Sequence, residues 1–386
     1  MKIAIMMRAM DQDSGFRAYT EALVGNMVPL DPGVSYLLLY RTPKWKGRFA
    51  DHKNVQEVLL DAPHKFLWDQ VAVPNRARKE GARVIFNPKF SIPLFTSIPV
   101  TMGLQEPAWW TWPQHYEKFD VLYAKVMLRR YIRKCAHIFP MSQFILEENR
   151  KVLGLPFTNT TLAYAAADQH FKKIVEADVL EAFRRKYELP ERFILSVTRV
   201  DHPGLEGSTS FYGGKNPETT FRAFAAIRDR VPHTMVFAGR RVPDYLRHTE
   251  GAGVNLDRVK FIDFVPYEEL PKLYNLAELF VNPAYYEGCP STLLQAMACA
   301  CPMVVAQSGG SVDIGRGAAL FADPYDASDF AEKMLAGLSN ETLRQELREK
   351  SLVRSADFSW EKTARDVLAG LLRVANATQG PTEAAG

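Results

Sequence analysis

Continuous apolar runs recur along the chain and alternate with segments of helical periodicity. In the first half the runs are Lys2–Met7, Tyr36–Tyr40, Val55–Leu60, Val84–Phe86, Val100–Leu104 and His137–Pro140. A second series comprises Phe193–Val197, Thr234–Ala238, Val259–Phe264, Leu279–Val281 and Met303–Val305. Most of these runs are apolar at consecutive positions, rather than at every second residue, and read as strands buried on both faces, as in parallel sheets. After the first run and a loop through Gly15, Phe16, Tyr19, Leu23, Val24 and Met27 fall on one helical face. Further helices are expected at Val121–Cys135, after the cap Asn216-Pro217, and at Ala327–Leu338, Glu341–Ser351 and Ser359–Val374. Strand and helix in turn predict an α/β fold with doubly wound parallel sheets.

The two series are separated by a charged stretch, KKIVEADVLEAFRRKYELPER, expected to be the connection between two domains. The expected division is 1–175 and 190–358, with a small, polar, disordered tail over 375–386. A length of 386 residues, 47% of them hydrophobic, is ample for two domains of ordinary size. No internal repeat at a solenoid period is visible.

Composition narrows the class. Cys135, Cys289, Cys299 and Cys301 lack metal-ligand or redox spacing, and the eight histidines are scattered, so neither a metal site nor a disulfide framework is expected. The apolar run near Lys2 is too short for a signal-peptide core, and no stretch reaches the roughly 18 apolar residues of a membrane helix. A cytoplasmic protein with reduced thiols is the expectation. Residues 1–190 hold 27 Lys+Arg against 19 Asp+Glu, and the remainder 21 against 25, so +8 and −4 sum to the net +4. A basic first half suits an anionic acceptor or the anionic inner face of a membrane, although a solvated surface has the same composition. Lys125, Arg129, Arg130, Arg133 and Lys134 lie among apolar residues of the Val121–Cys135 helix, a pattern that fits either a solvated face or peripheral contact with anionic lipid.

The most informative stretch is LFVNPAYYEGCPSTLLQAMACACPMVVAQSGG, Leu279–Gly310. It reads as strand, loop with Glu287-Gly288, helix, strand and Gly-Gly. Pro290 precedes the helix, Ser291 is a good N-cap, and the first-turn amides of Ser291, Thr292 and Leu293 are placed to receive a phosphate. Glu287 and Gln295, with seven residues between them, bracket this turn and can both bind hydroxyls. A phosphate cradle between two hydroxyl binders describes a nucleotide-sugar site.

This segment resembles the donor signature of the family 4 retaining glycosyltransferases, also called glycosyl transferases group 1. Their pattern is Glu, seven residues, Glu, then Ala-Met-Ala; Glu287, Gly288, Pro290, Leu294, Ala296, Met297 and Ala298 match it. Gln295 stands for the second Glu, Ala300 for a usual Gly, and Gly309, Gly310 and Asp313 continue the pattern with Asp for Glu. The resemblance implies a GT-B fold, two Rossmann-like domains facing across a cleft, with the last helix, 359–374, crossing back to the first domain. It implies transfer of a hexosyl group from a nucleoside-diphosphate sugar to a glycan, lipid-linked or small-molecule hydroxyl, with retention and without a metal or other cofactor. Polysaccharide assembly is the corresponding setting.

Residue roles follow from the match. Arg199, after strand Phe193–Val197, and Lys215, before the next helix, resemble the family's cation pair for the diphosphate, with an extended loop, HPGLEGSTSFYGG, interposed. Glu287 would hold the transferred sugar, and Gln295 the ribose, its lost charge weakening that bond by about 1 kcal/mol. Gly239, Gly288, Ser291, Thr292 and Leu293 complete the donor set. On the acceptor side, Gly15, Phe16 and Arg17 resemble the family's glycine loop. Gln105 and Glu106 occupy the place of a frequent His-Asp pair, and Trp109 can stack on a sugar or pack in the core. The departures at Gln295, Ala300 and Gln105 leave open a relative that binds a nucleotide sugar or glycan without turnover. An epimerase of the same fold would need acid and base groups that this signature lacks.

Overall fold

A computed structural model describes residues 1–12, 15–200, 213–251 and 253–377, with His115 and Gly213 described by backbone alone. The interposed loop expected after Arg199 lies largely outside the described residues, as does the tail beyond Ala377. The chain forms two compact units: Met1–Pro113 with Glu117–Ala165 and the segment from Ser359, and Gln114–Tyr116 with Ala166–Phe358.

Unit 1 is built on six strands: β1 (Lys2–Met6), β2 (Ser35–Tyr40), β3 (Val55–Leu59), β4 (Val84–Asn87), β5 (Val100–Leu104) and β6 (His137–Pro140). All pair in parallel, in the order β3-β2-β1-β4-β5-β6. Strands β4, β5 and β6 are buried along their whole length, which is why their sequences are apolar without alternation. The Gly15–Met27 helix buries Tyr19, Leu23, Val24 and Met27 as expected, whereas Phe16 stays half-buried. The C-terminal helix runs Trp360–Ala377, so residues 375–377, expected in the tail, are helical. Val374 and Ala375 are buried in it, which extends its apolar stripe past the expected end. This helix packs on the Gly15–Met27 helix and on β4 and β6, with the Trp360 and Tyr19 rings edge to face at 5.4 Å. Thr363 donates to the Tyr164 carbonyl at 2.8 Å.

Unit 2 repeats the plan with β7 (Phe193–Val197), β8 (Thr234–Ala238), β9 (Val259–Ile262), β10 (Leu279–Asn282), β11 (Met303–Ala306) and β12 (Leu320–Ala322). Their order is β12-β11-β10-β7-β8-β9, again parallel. The three-residue β12 lies in the apolar run Ala318–Ala322 and was not among the expected strands. The expected connection is a correction: residues 166–175, assigned to the first domain, and the helix Ala177–Lys186 belong to unit 2. The reason is aromatic packing, since Phe171 stands edge to face with both Tyr267 and Tyr274, at 5.3 and 6.3 Å. Asn275 fastens the same stretch, donating to the Lys172 carbonyl and accepting from the Ile174 amide.

Each order, 3-2-1-4-5-6 within its unit, reverses direction between the first strand and the fourth. Ligands of open α/β sheets bind beyond the carboxyl ends of the strands at this reversal. The two places to inspect are therefore β1/β4 in unit 1 and β7/β10 in unit 2.

Candidate functional site

At the β7/β10 reversal Glu287 is buried, 9% exposed, in the loop after β10. Its Oε1 forms an ion pair with Lys215 Nζ, and its Oε2 accepts from Asn282 Nδ2 at 3.2 Å. Asn282, the last residue of β10, uses its other hydrogen on Thr292 Oγ1 at 3.1 Å, and its Oδ1 accepts from the Ala284 amide at 3.0 Å. One buried amide thus ties the carboxylate to the first turn of the Ser291–Ala298 helix. Nothing in the sequence pattern singled Asn282 out. A polar residue closing an apolar strand was the only signal.

Lys215 is placed by its neighbour. Asn216 caps the Pro217–Ile227 helix in the left-handed region (φ 54°), which asparagine tolerates better than most residues. Its side chain donates to the Pro283 and Pro324 carbonyls at 2.9 and 2.8 Å. Both loops flanking the site are thereby hung on one fully buried amide, and Tyr285 N–H bonds the Gly214 carbonyl at 2.8 Å.

The Gly-Gly pair after β11 backs the carboxylate. Gly310 N–H donates to the Glu287 carbonyl at 2.8 Å, and a Cβ on Gly310 would lie 2.2 Å from the Gly288 carbonyl oxygen. Gly309 adopts φ +54°, so both glycines are demanded by the close seating of the loop. Asp313, three residues on, lies in the same Gly309–Ile314 helix, its carbonyl accepting from Arg354.

One expectation needs correction. Ser291 is not the N-cap: Pro290 is, with no side-chain bond, and Ser291 is the exposed first helical residue. The Leu293 amide, expected to receive a phosphate, donates instead to the Pro290 carbonyl at 3.2 Å. Pro290 holds the turn because its ring fixes φ and lets the chain fold back over the first turn. Gln295 is buried, and its Oε1 accepts from Tyr274 at 3.2 Å. A neutral amide tolerates burial against a phenol that a second carboxylate would resist.

Arg199 is exposed two residues past β7, next to Thr198, whose buried Oγ1 has no hydrogen-bond partner. Gly239 closes β8 with φ +144°, and a Cβ there would stand 1.6 Å from the Thr198 carbonyl oxygen. Glycine at 239 is thus required by the crossing of strand ends that presents Thr198 and Arg199. The structure joins Lys215, Glu287, Asn282 and Thr292 in direct contact and brings Arg199, Gly239 and Gly288 to the same sheet edge.

In unit 1, Gly15 opens its helix and a Cβ would meet nothing within 4 Å, so no crowding explains the glycine. Arg17 lies over the Trp45 ring at 4.8 Å. Gln105 is buried, its carbonyl accepts from Asn149 at 2.8 Å, and its side-chain nitrogen has no partner. Glu106 and Trp109 are half-buried, and Trp109 packs edge to face on Phe90 at 4.8 Å. Around them stand groups that the sequence did not mark. Arg8 bonds Asp69 and Ser91 at 3.2 and 2.8 Å, and Lys89 Nζ donates to Gln12 Oε1 at 2.7 Å. Burial drives the Asp69 carboxyl above its ordinary range despite Arg8, and burial with the Arg8 charge brings Lys89 down to about 8. The basic helix begins at Lys118 rather than Val121, ends at Lys134 and leaves Phe119, Leu122 and Val126 exposed. Its first turn buries no side chain, and the apolar residue there, Phe119, is exposed, so the buried face does not extend to the true start.

Among the described residues, no three His, Cys, Asp or Glu stand together as metal ligands, and no helix is long and apolar enough to cross a membrane.

Residues 209–353 match the family profile of the glycosyl transferases group 1. The profile covers much of unit 2. The chain is 29% identical over 256 residues to the serotype-specific mannosyltransferase WbdA of Escherichia coli, an alignment covering 63% of this chain and 29% of WbdA. It is 24% identical over 259 residues to the O-antigen chain mannosyltransferase B of Escherichia coli, covering 65% and 64% of the two chains. The match therefore spans less than two thirds of either relative. The solved structure of Anabaena Alr3699/HepE in complex with UDP superposes with a TM-score of 0.74 at 15% identity, covering 97% of this chain and all of that one. The two six-stranded parallel sheets with their helices are the GT-B fold.

Proposed function

We propose that the protein is a retaining hexosyltransferase that moves a sugar from a nucleoside diphosphate to a glycan hydroxyl. The observation that carries this is the Lys215–Glu287–Asn282 group, built at the β7/β10 reversal within the segment that matches the family. The named relatives, both mannosyltransferases, support a hexose donor and make mannose the first sugar to test. The UDP held by HepE supports a nucleoside diphosphate.

In this reading Lys215 and Arg199, with the amides of Ser291 and Thr292, take up the charge of the departing diphosphate. Glu287 accepts hydrogen bonds from the sugar's hydroxyls. The anomeric carbon–phosphate oxygen bond breaks, the acceptor oxygen bonds that carbon on the same face, and the hydroxyl proton passes to the leaving phosphate. Groups fixed in place before charge develops are each worth on the order of a hundred- to thousandfold in rate.

The test is a thermal-shift screen of UDP-, GDP- and dTDP-sugars, followed by transfer assays with the one that stabilises. Ligands that bind only the native state raise its melting temperature. Glu287→Gln and Arg199→Ala should each lower transfer by about a hundredfold or more while leaving the fold intact. Full activity in either variant refutes the assignment. Stabilisation by a nucleotide sugar without transfer to any glycan acceptor would mean a binding protein.

A further inference from the structure

At the β1/β4 reversal of unit 1 a lysine stands without an ion-pair partner among the described residues. Lys89 follows β4, and its ammonium lies over the Phe16 and Phe90 rings at 5.1 and 5.8 Å. Its hydrogen-bond acceptor is the uncharged amide of Gln12, and among the described residues no carboxylate stands within ion-pair distance. Arg8, which follows β1, is neutralised by Asp69. Lys65 adds positive potential and Glu106 negative potential at longer range. The fold invests in this placement. Gly103 of β5 lets the strand approach so closely that a Cβ would lie 2.2 Å from the Pro88 carbonyl oxygen, and Asn87 holds the Lys89 amide at 3.0 Å. Asp69 sits in a π-helical turn, Trp68–Ala72, an irregularity frequent at functional sites. Beyond the end of β5, the 6%-exposed Gln105 offers a side-chain nitrogen without a partner.

A half-buried ammonium has lost much of its hydration and is stabilised most by a full negative charge. A sugar hydroxyl offers only a dipole. We propose that unit 1 contains an oxyanion subsite for the acceptor, centred on Lys89 and walled by Phe16, Phe90 and Trp109, which selects sugars carrying a phosphate or carboxylate group. The aromatic walls suit the apolar face of a pyranose ring. This deepens the transferase reading and rests on it for the word acceptor; the anion site itself does not.

Calorimetry on the full chain compares mannose 6-phosphate, galacturonate and the neutral methyl mannoside. A charged sugar should bind about ten- to a hundredfold more tightly than the neutral one. Preference for the phosphate points to a phosphorylated acceptor, preference for the carboxylate to an acidic glycan, and either supports the subsite. Lys89→Met should abolish the preference. Gln12→Glu should do the same without opening a cavity, by giving the ammonium an internal carboxylate. Nucleotide-sugar stabilisation, a property of unit 2, should persist in both variants. Equal binding of charged and neutral sugars, or a preference that survives both substitutions, overturns the proposal. Absence of nucleotide-sugar stabilisation in the unmodified protein instead refutes the transferase reading and leaves the anion measurement standing.

Discussion

At the scale of single residues, Asn282 decides more than its neighbours. Its amide is 6% exposed and both its hydrogens are committed, one to Glu287 and one to Thr292. Asn282→Ala would leave a buried carboxylate oxygen without its donor, a loss worth about 1–3 kcal/mol. Transfer should fall about ten- to a hundredfold, with circular dichroism unchanged. An unaltered turnover number would show that Lys215 alone holds Glu287. Glu287 itself was legible because it stands in a recognisable string with Gly288, Pro290 and Ala296–Ala298. Asn282 and Lys89 were not, because each acquires its meaning from a partner on another segment: Asn282 from a carboxylate across a loop, Lys89 from Gln12, 77 positions away.

Among elements, the central strands were readable because burial on both faces removes any polar alternation, whereas the edge strands β3 and β9 are partly exposed and keep polar residues. Helix ends were less so. The Lys118–Lys134 helix starts with three exposed residues, Phe119 among them, so its first turn adds nothing to the buried stripe that marks a helix. The sheet edge of unit 2 depends on a crossing that only glycine permits. With φ +144° and the Thr198 carbonyl where a Cβ would go, Gly239→Ala must separate the ends of β7 and β8. The cost combines backbone strain with a clash that neither strand can relieve, about 2–4 kcal/mol. Urea unfolding should show that loss, and nucleotide-sugar stabilisation should weaken with it. A variant as stable as the parent would mean that the strand ends yield easily.

For the molecule as a whole, the chain returns at its end to the unit in which it began. The Trp360–Ala377 helix buries Val367, Leu368 and Leu371 against unit 1, each worth about 1.5–3 kcal/mol, beside a typical domain stability of about 5–15 kcal/mol. Truncation after Phe358 should therefore unfold unit 1 selectively. Hydrogen exchange would show lost protection over β1–β6 and retained protection over β7–β12. Protection kept in both units would mean that the helix is dispensable.

Local chemistry, taken alone, determined the nature of nearly every strand, the alternation that makes the fold α/β, and the Glu287–Ala298 string that marks a donor site. Those features depend on residues near one another in the chain, where periodicity and turn preferences act. Tertiary structure alone decided that Phe171 belongs with Tyr267 and Tyr274, that Gln295 turns to Tyr274, and that Arg8, Asp69, Gln12 and Lys89 share one strand edge. Each of these is a contact between distant segments, set by the order in which parallel strands assemble and by which buried polar groups find a partner there.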